Sequence, residues 1–396
     1  MQSDSFALSQ EMDILLSGVK ACFEESALQE FVKRCYLPEN NWRKIILEAH
    51  DHVVSTILYH GLKDVKDVAK VIPNEILENL ENMCKILEFR NRLLLHELGN
   101  LIQTINDTEA QVILLKGAAL AQTVYPNTTL RLFGDIDLLI KPHDWPVIRE
   151  ILIEMGYTPE RNYDALRVDD LWEYTYSFRT INFTKNNNFP LSIDIHCNSI
   201  HIGRSRTEAP MLWDRAIEIK VDNTKGLGLC PEDLLLHLCV HLNFHNYEEL
   251  RWFADIYAVV KHYSKTLDWT RLIHEVRGKG IASPLYYGLL YTKYLLDCPL
   301  PLEVLKELQP NWLSRKRFEF FWNEKKILQD KSKPHPIIGR GLIWLIVDRS
   351  QDKLRYIFRM FFPPVSWLRC HYSLPKTRKN YLFYFSHFVN ILKFKL

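Results

Sequence analysis

The sequence predicts a fold that combines helices with a sheet, of the α/β or α+β class, because the spacing of its apolar residues changes twice along the chain. Apolar residues recur at helical spacing up to about residue 110, short strand-like apolar runs follow, and helical spacing returns after about residue 220. At 396 residues the chain exceeds the size of a single hydrophobic core. We therefore expect an N-terminal helical region over 1–110, a central domain over 111–220 and a C-terminal helical domain over 221–396.

The N-terminal region shows its helical pattern in two stretches. The first stretch, 45–58, has apolar residues at i, i+3 and i+4 spacing, and the second, 74–105, repeats this pattern over a longer segment. Pro73 directly before the second stretch suits a helix start.

The central domain alternates strand-like and helix-like segments. The predicted strands are 112–115, 135–140, 178–183 and 191–196, with a polar turn at 185–188, and the predicted helices are 118–121 and 144–155. Gly156 suits the C-terminal cap of the second helix. Further on, Pro231 followed by two acids opens a helix, which continues over 234–242, and another helix is expected over 249–262.

Three aspartates lie at the start of, or within, predicted strands. Asp135 and Asp137 are two residues apart at the opening of a strand, so their side chains leave the same face, about 6–7 Å apart along the chain. Asp194 lies between two isoleucines on a later strand, where a carboxylate is costly unless it is paired or bound to metal. Neighbouring carboxylates repel each other, and a cation bound between them relieves this repulsion. Mg²⁺ (or Mn²⁺) suits the site because it is bound by a few carboxylates together with water and phosphate oxygens. We predict a two-metal site for phosphoryl transfer.

A phosphate-binding turn is predicted beside these acids. Lys116-Gly117 ends the first strand and opens a helix, where backbone N–H groups and the helix N-terminus favour a phosphate. Arg131, just before Gly134, could add a second charge. We take Lys116, Gly117, Arg131 and Gly134 as nucleotide-binding residues. A D-x-D or a K-G pair alone is weak evidence, since most are solvated surface residues, but here four features follow one another over about 80 residues.

These motifs resemble a known superfamily. V-I-L-L-K-G-A-A-L, R-L-F-G-D-I-D-L-L-I and the later D-I-H at 194–196 are similar to the nucleotidyltransferases with the polymerase-beta-like palm, and more narrowly to an uncharacterised bacterial group among them. The resemblance extends through P-E-D-L-L at 231–235 to L-R-W-F-A-D-I at 250–256. It implies an α+β palm, a mixed sheet with helices, with Asp135, Asp137 and Asp194 as metal ligands and Lys116-Gly117 as the triphosphate loop. Many members have Gly-Ser in that loop, whereas this chain has Gly117-Ala118.

The resulting hypothesis is an enzyme that transfers a nucleoside monophosphate from an NTP such as ATP to a hydroxyl acceptor and releases pyrophosphate. The acceptor, whether small molecule, protein or RNA, is not implied by the motifs. Two alternatives stay open: a catalytically inactive nucleotide-binding scaffold in a biosynthetic assembly, which the missing loop serine favours, and a toxin-like enzyme that modifies RNA or protein.

Several other residues carry weaker expectations. His237, His241 and His245 are spaced i, i+4, i+8, for which structural roles are favoured over substrate contact and metal ligation. Arg251 and Asp255 are expected to form an intrahelical ion pair, although Arg251 could instead face the cleft. We take His196 to lie on the strand face opposite Asp194, behind the site.

The C-terminal stretch 340–396 has eleven lysines and arginines but only two acids, interleaved with aromatic residues. A helical domain with a solvated basic face is the simplest interpretation, and contact with a membrane surface or with nucleic acid is the alternative. The eight cysteines are scattered without a C-x-x-C pair, and the N-terminus does not read as a signal peptide, so we expect a cytoplasmic protein.

Overall fold

The computed structural model describes residues 8–161, 163, 168, 171, 180–186, 190–197, 209–321, 327–328, 347–372 and 381–392. The chain forms two compact units, each assembled from separate stretches of sequence. The first unit comprises Met1–Leu95, Ala119–Phe133 and Pro231–Ile346, and the second comprises His96–Ala118, Gly134–Cys230 and Val347–Leu396.

The first unit is helical. Its N-terminal helices are α1 (Gln10–Phe23), α2 (Glu25–Cys35), α3 (Trp42–Asp51), α4 (Ser55–Leu62) and the first part of α5 (Asn74–Asn106). A short 3-10 helix lies at Val68–Lys70, and another, in the second unit, lies at Pro142–Asp144. Side chains cap the N-termini of α1 and α3. The Ser9 hydroxyl accepts a hydrogen bond from the backbone N–H of Met12, and the Asn41 side-chain oxygen accepts one from the backbone N–H of Lys44. α1 packs against α2, α3 and α4 and buries Ile14, Leu15 and Val19.

The long predicted helix over 74–105 is confirmed as α5, whereas the 45–58 pattern is divided between two helices. α3 ends at Asp51 and α4 begins at Ser55, and Val53 between them has a φ of +56°. A β-branched residue rarely adopts this left-handed conformation, which an α-helix cannot contain. The apolar spacing continues across the break because both helices bury their apolar faces.

The later helices of the first unit are α9 (Pro231–Phe244), α10 (Leu250–His262), α11 (Trp269–Lys279), α12 (Ala282–Leu296), α13 (Leu302–Leu308) and α14 (Trp312–Phe321). α9, α10 and α12 pack on one another, and α9 is buried over most of its length. The helix predicted to open at Pro231 and to continue over 234–242 is confirmed, and it ends at Phe244.

The second unit contains a seven-stranded mixed sheet in the order β3-β4-β5-β2-β1-β7-β6. Its strands are β1 (Val112–Leu114), β2 (Ile136–Ile140), β3 (Thr158–Pro159), β4 (Ile181–Lys185), β5 (Leu191–His196), β6 (Ile217–Val221) and β7 (Thr224–Gly228). β2 is parallel to β5 and antiparallel to β1, while β1 is parallel to β7. The predicted strands near 112, 135 and 191 are confirmed. The strand predicted over 178–183 corresponds to β4, which begins at Ile181 and ends two residues later than predicted, at Lys185. Residues 178–179 of that prediction, and residues 187–188 of the predicted turn, lie outside the described residues.

Helices complete the second unit. They are α6 (Lys116–Thr123), which runs on into the first unit, α7 (Trp145–Glu154), α8 (Ala209–Asp214), α15 (Ser350–Phe361), α16 (Val365–Tyr372) and α17 (Tyr381–Leu392). Gly156 follows α7 with a φ of +86°, and its N–H bonds to the carbonyl of Ile153 at 2.9 Å, as the capping prediction requires. Within the described ranges, every helix is too short or too polar to cross a lipid bilayer.

Candidate active site

The candidate site begins where β1 passes into α6. The strand is fully buried, and the backbone N–H of Leu115 still bonds to the carbonyl of Asp137 at 3.0 Å. The next residue, Lys116, has a φ of +49°, a conformation that costs a residue with a side chain free energy and that is often found at functional sites. This turn points the Lys116 ammonium at Asp137, with 2.6 Å between Nζ and Oδ1.

Asp137 and Asp194 lie side by side on neighbouring strands of the sheet. β2 and β5 are adjacent parallel strands, and their register pairs Asp137 directly with Asp194. Register partners share a face of the sheet, so both carboxylates lie on the same side. On the other face the flanking pairs, Ile136 with Ile193 and Leu138 with Ile195, are buried. The sequence-based expectation that residue 194 approaches residue 137 therefore matches the strand register.

Asp137 is ionised and enclosed. Its residue is 3% exposed, and burial opposes its charge, but the Lys116 ammonium and the hydrogen bond from His196 hold its pKa well below the usual range. His196 lies 2.8 Å away, from Nε2 to the same oxygen, Oδ1, that Lys116 contacts. Two donors thus converge on one carboxylate oxygen.

The contact of His196 with Asp137 corrects our expectation that this histidine lies behind the site. Residues 194 and 196 are two apart on β5, with Ile195 between them, so strand alternation puts both on one face. The D-I-H motif therefore delivers an acid and an imidazole to the same site.

Asp194 lies in a different environment from Asp137. Asn182, its register partner on β4, donates from Nδ2 to Oδ1 at 2.6 Å, and the Thr180 hydroxyl lies 3.3 Å from Oδ2. Burial, followed by the negative charges of Asp137 and Asp135, raises the pKa of Asp194 to about 6. Sequence analysis missed Asn182 and Thr180, and the only available signal was the polar residue between Ile181 and Phe183.

Asp135 completes the group of acids from just outside the strand. It lies immediately before β2 and is exposed, whereas Asp137 is buried. Its charge reaches the other groups, because it contributes to raising the pKa of Asp194 and that of Lys116. For Lys116, burial acts against the charge, and Asp137, Asp135 and Asp194 together outweigh it. The three predicted acids and Lys116 therefore form one electrostatic cluster.

The fit of this cluster to a divalent cation rests on its chemistry. Three carboxylates offer the hard oxygen ligands that Mg²⁺ prefers, and Asp137 and Asp194 are aligned by strand register. In the described part of the chain, however, no group of three His, Cys, Asp or Glu side chains is already arranged around one point as a metal site. The carboxylate oxygens are therefore ligands of the type that Mg²⁺ prefers. The positive charge nearest to Asp137 in the structure is the Lys116 ammonium.

Arg131 and Gly134, the other two residues assigned to nucleotide binding, lie in separate units. Arg131 belongs to the first unit, is 4% exposed and forms a bidentate ion pair with Asp255, with Nε–Oδ1 and Nη2–Oδ2 distances of 2.6 and 2.7 Å. Tyr125 donates its hydroxyl to the same aspartate at 2.8 Å. Gly134 is exposed in the second unit, and a Cβ there would meet nothing within 4 Å. A role for either residue toward a triphosphate stays a prediction.

Asn91 holds the segment that leads to the acids, and sequence analysis missed it. Within the first unit its side-chain amide donates to the carbonyls of Thr128 (2.7 Å) and Arg131 (3.2 Å), and its oxygen accepts from the Phe133 backbone (3.3 Å). The residue is 1% exposed. One buried amide thus satisfies three backbone groups just before Asp135.

The histidine series lies on α9 and just beyond it, in the first unit. The rings of His241 and His245 are 4.4 Å apart, and His245 lies 4.5 Å from the Trp252 ring, as centroid distances. Arg251 bonds to Glu249 at 2.7 Å, while Asp255 is taken by Arg131, so the expected Arg251–Asp255 pair is wrong. The two residues are one turn apart, but Asp255 is directed into the core, where Arg131 meets it.

In the second unit, a mixed sheet thus carries two in-register carboxylates beside the turn at Lys116. The chain belongs to the family described as uncharacterised nucleotidyltransferase, whose sequence profile matches residues 38–297. That range includes every predicted site residue and parts of both units. No curated protein matches the chain.

Proposed function

We propose that the chain transfers a nucleoside monophosphate from an NTP to a hydroxyl acceptor and releases pyrophosphate, and that the site is the Asp135–Asp137–Asp194 cluster on a polymerase-beta-like palm. The observation that carries this proposal is the in-register pair of Asp137 and Asp194 beside Lys116. Family membership supports nucleotidyl transfer in general. The metal, the nucleotide and the acceptor belong to the proposal.

In this scheme Asp135, Asp137 and Asp194 would hold Mg²⁺, which when bound would neutralise negative charge on the triphosphate and the departing pyrophosphate. The acceptor oxygen forms a bond to the α-phosphorus, and the bond from that phosphorus to the pyrophosphate oxygen breaks. Asp194, oriented by Asn182 and Thr180, takes the acceptor's proton. Lys116 keeps Asp137 ionised.

The test is release of pyrophosphate from each NTP with Mg²⁺ in the presence of a cell extract as the source of acceptor. Asp194→Asn is the most informative variant, because an asparagine keeps the shape of the side chain and can still accept from Asn182. We expect turnover to fall by at least about 1,000-fold, since the site loses a ligand and a proton acceptor. Asp107→Asn, at an exposed aspartate of the same unit, is the matched control and should keep full activity.

A folded Asp194→Asn protein with undiminished pyrophosphate release would contradict this mechanism. Labelled NTP in the same incubation identifies the acceptor, because the transferred nucleotide carries the label. We further propose that the reaction takes place in the cytoplasm, because the cysteines are scattered along the sequence without a C-x-x-C pair.

A second candidate function is nucleotide binding without catalysis, within a biosynthetic assembly. The observation that favours it is the Lys116–Asp137 ion pair, which stabilises a buried carboxylate without a metal. Calorimetry with NTP and Mg²⁺ separates the two functions. Binding by a protein that releases no pyrophosphate with any NTP or extract would support the scaffold.

A further inference from the structure

The C-terminal helix α15 turns its apolar stripe to solvent. Leu354, Ile357, Phe358 and Phe362 follow one another at i, i+3, i+4 and i+8, which is the spacing of an amphipathic helix. In a globular protein such a stripe normally faces the core. Here the four residues are 68%, 38%, 59% and 49% exposed, and the rings of Phe358 and Phe362 stack 5.0 Å apart.

Helix α17 extends this apolar surface. Phe385 and Phe388 are exposed on it, and ring contacts join the two helices: Phe361 lies 5.6 Å from Phe388. Six side chains therefore form what we call the C-terminal apolar surface: Leu354, Ile357, Phe358, Phe362, Phe385 and Phe388. Monomeric proteins rarely expose so many large apolar residues together unless the patch binds something.

Positive charge accompanies this surface. Along α15 and the residue before it stand Arg349, Lys353, Arg355 and Arg359. Two acids, Asp348 and Asp352, stand among these cations, and Asp352 is 17% exposed and lies 3.3 Å from Arg355. Aliphatic and phenyl groups with interleaved cations match the interface of an anionic bilayer, where apolar side chains enter the acyl boundary and cations meet the headgroups.

We propose that the C-terminal apolar surface docks the protein on an anionic membrane surface, with α15 lying in the plane of the interface. A lipid partner explains the aliphatic members, Leu354 and Ile357, because hydrocarbon accommodates them and nucleic-acid bases offer them little to stack on. The surface lies outside the range matched by the family profile, so it is a property of this chain additional to nucleotidyl transfer.

The test is co-sedimentation of the full chain with vesicles of phosphatidylcholine alone and of phosphatidylcholine mixed equally with phosphatidylglycerol. We expect binding to the anionic vesicles, weaker binding to the neutral ones, and loss with added salt. The double variant Leu354→Ser/Phe358→Ser should lower the partition to anionic vesicles at least about tenfold. Both positions are more than half exposed, so the fold should be kept, as circular dichroism would check.

The matched control is Phe320→Ser, which removes an 83% exposed phenylalanine from the first unit and should leave vesicle binding unchanged. The proposal is overturned if the wild-type chain ignores anionic vesicles, or if the double variant binds them as well as the wild type. It is also overturned if the surface proves to join two copies, seen as a dimer that the double variant abolishes, or if single-stranded RNA binds in preference to vesicles.

Discussion

The buried ion pair between Arg131 and Asp255 allows a direct test of what the R-L-F-G-D-I-D segment at 131–137 does in the fold. Arg131 and Asp255 have side chains only 5% and 1% exposed and are joined by two short hydrogen bonds. Removing the carboxylate by Asp255→Ala leaves the guanidinium buried without its partner and takes an acceptor from Tyr125. Breaking such a pair costs about 3–5 kcal/mol of unfolding free energy.

The measurement is urea unfolding of the wild type, Asp255→Ala and a double variant, Arg131→Met/Asp255→Leu. The double variant replaces both charges by apolar groups of similar size, so it should regain most of the stability that the single variant loses. A single variant within about 0.5 kcal/mol of the wild type would refute the reasoning.

The same double variant tests the prediction that Arg131 steadies a triphosphate. If the arginine is structural only, the stable double variant keeps its KM for NTP. A KM at least about tenfold higher in a protein of normal stability would assign Arg131 a contact with the nucleotide.

Two further predictions concern Asp194 and Gly288. The pKa of Asp194 rises from 3.8 to about 6 on folding, so the folded state is progressively destabilised as the pH rises from about 4 to 6, and the full loss remains above that. Asp194→Asn removes this ionisation. Without divalent metal, the variant should therefore raise the unfolding free energy by about 3 kcal/mol near pH 7 and by almost nothing below about pH 4. An equal effect at both pH values would contradict this. A Cβ on Gly288 would lie 2.7 Å from Sγ and 3.1 Å from Cα of Cys239, so Gly288→Ala should cost about 1–3 kcal/mol in thermal unfolding, whereas Gly278→Ala, with no atom within 4 Å, should cost nothing.

The central strands were predictable because each is a short apolar run bounded by turn residues. β1, β2 and β5 are buried on both faces, or nearly so, and their composition shows it. The hairpin of β6 and β7 was missed, although Ile217, Ile219 and Val221 alternate with polar residues and Asp222-Asn223 forms its turn. β3 is different: two residues carry no periodicity, and only pairing with β4 makes them a strand.

The site was predictable to the extent that it depends on spacing. Strand alternation placed Asp137 correctly, and applied with care it would also have placed His196 beside it. The contacts of Asn182 with Asp194 and of Asn91 with its loop depend on the register of a neighbouring strand and on the approach of a distant helix. Neither is a property of local sequence.

The two paired carboxylates are not equivalent, and this difference bears on where a cation would bind. Asp137 already has the Lys116 ammonium and His196 on one oxygen, and its pKa is lowered. Asp194 receives its hydrogen bonds from the neutral Asn182 and Thr180, and its pKa is raised. Asp194 therefore gains most from a new positive charge, and so does Asp135, whose exposure leaves it accessible to one. Under the proposed function, a nucleotide-bound Mg²⁺ would supply that charge on the Asp194 side of the cluster, and Lys116 would remain paired with Oδ1 of Asp137.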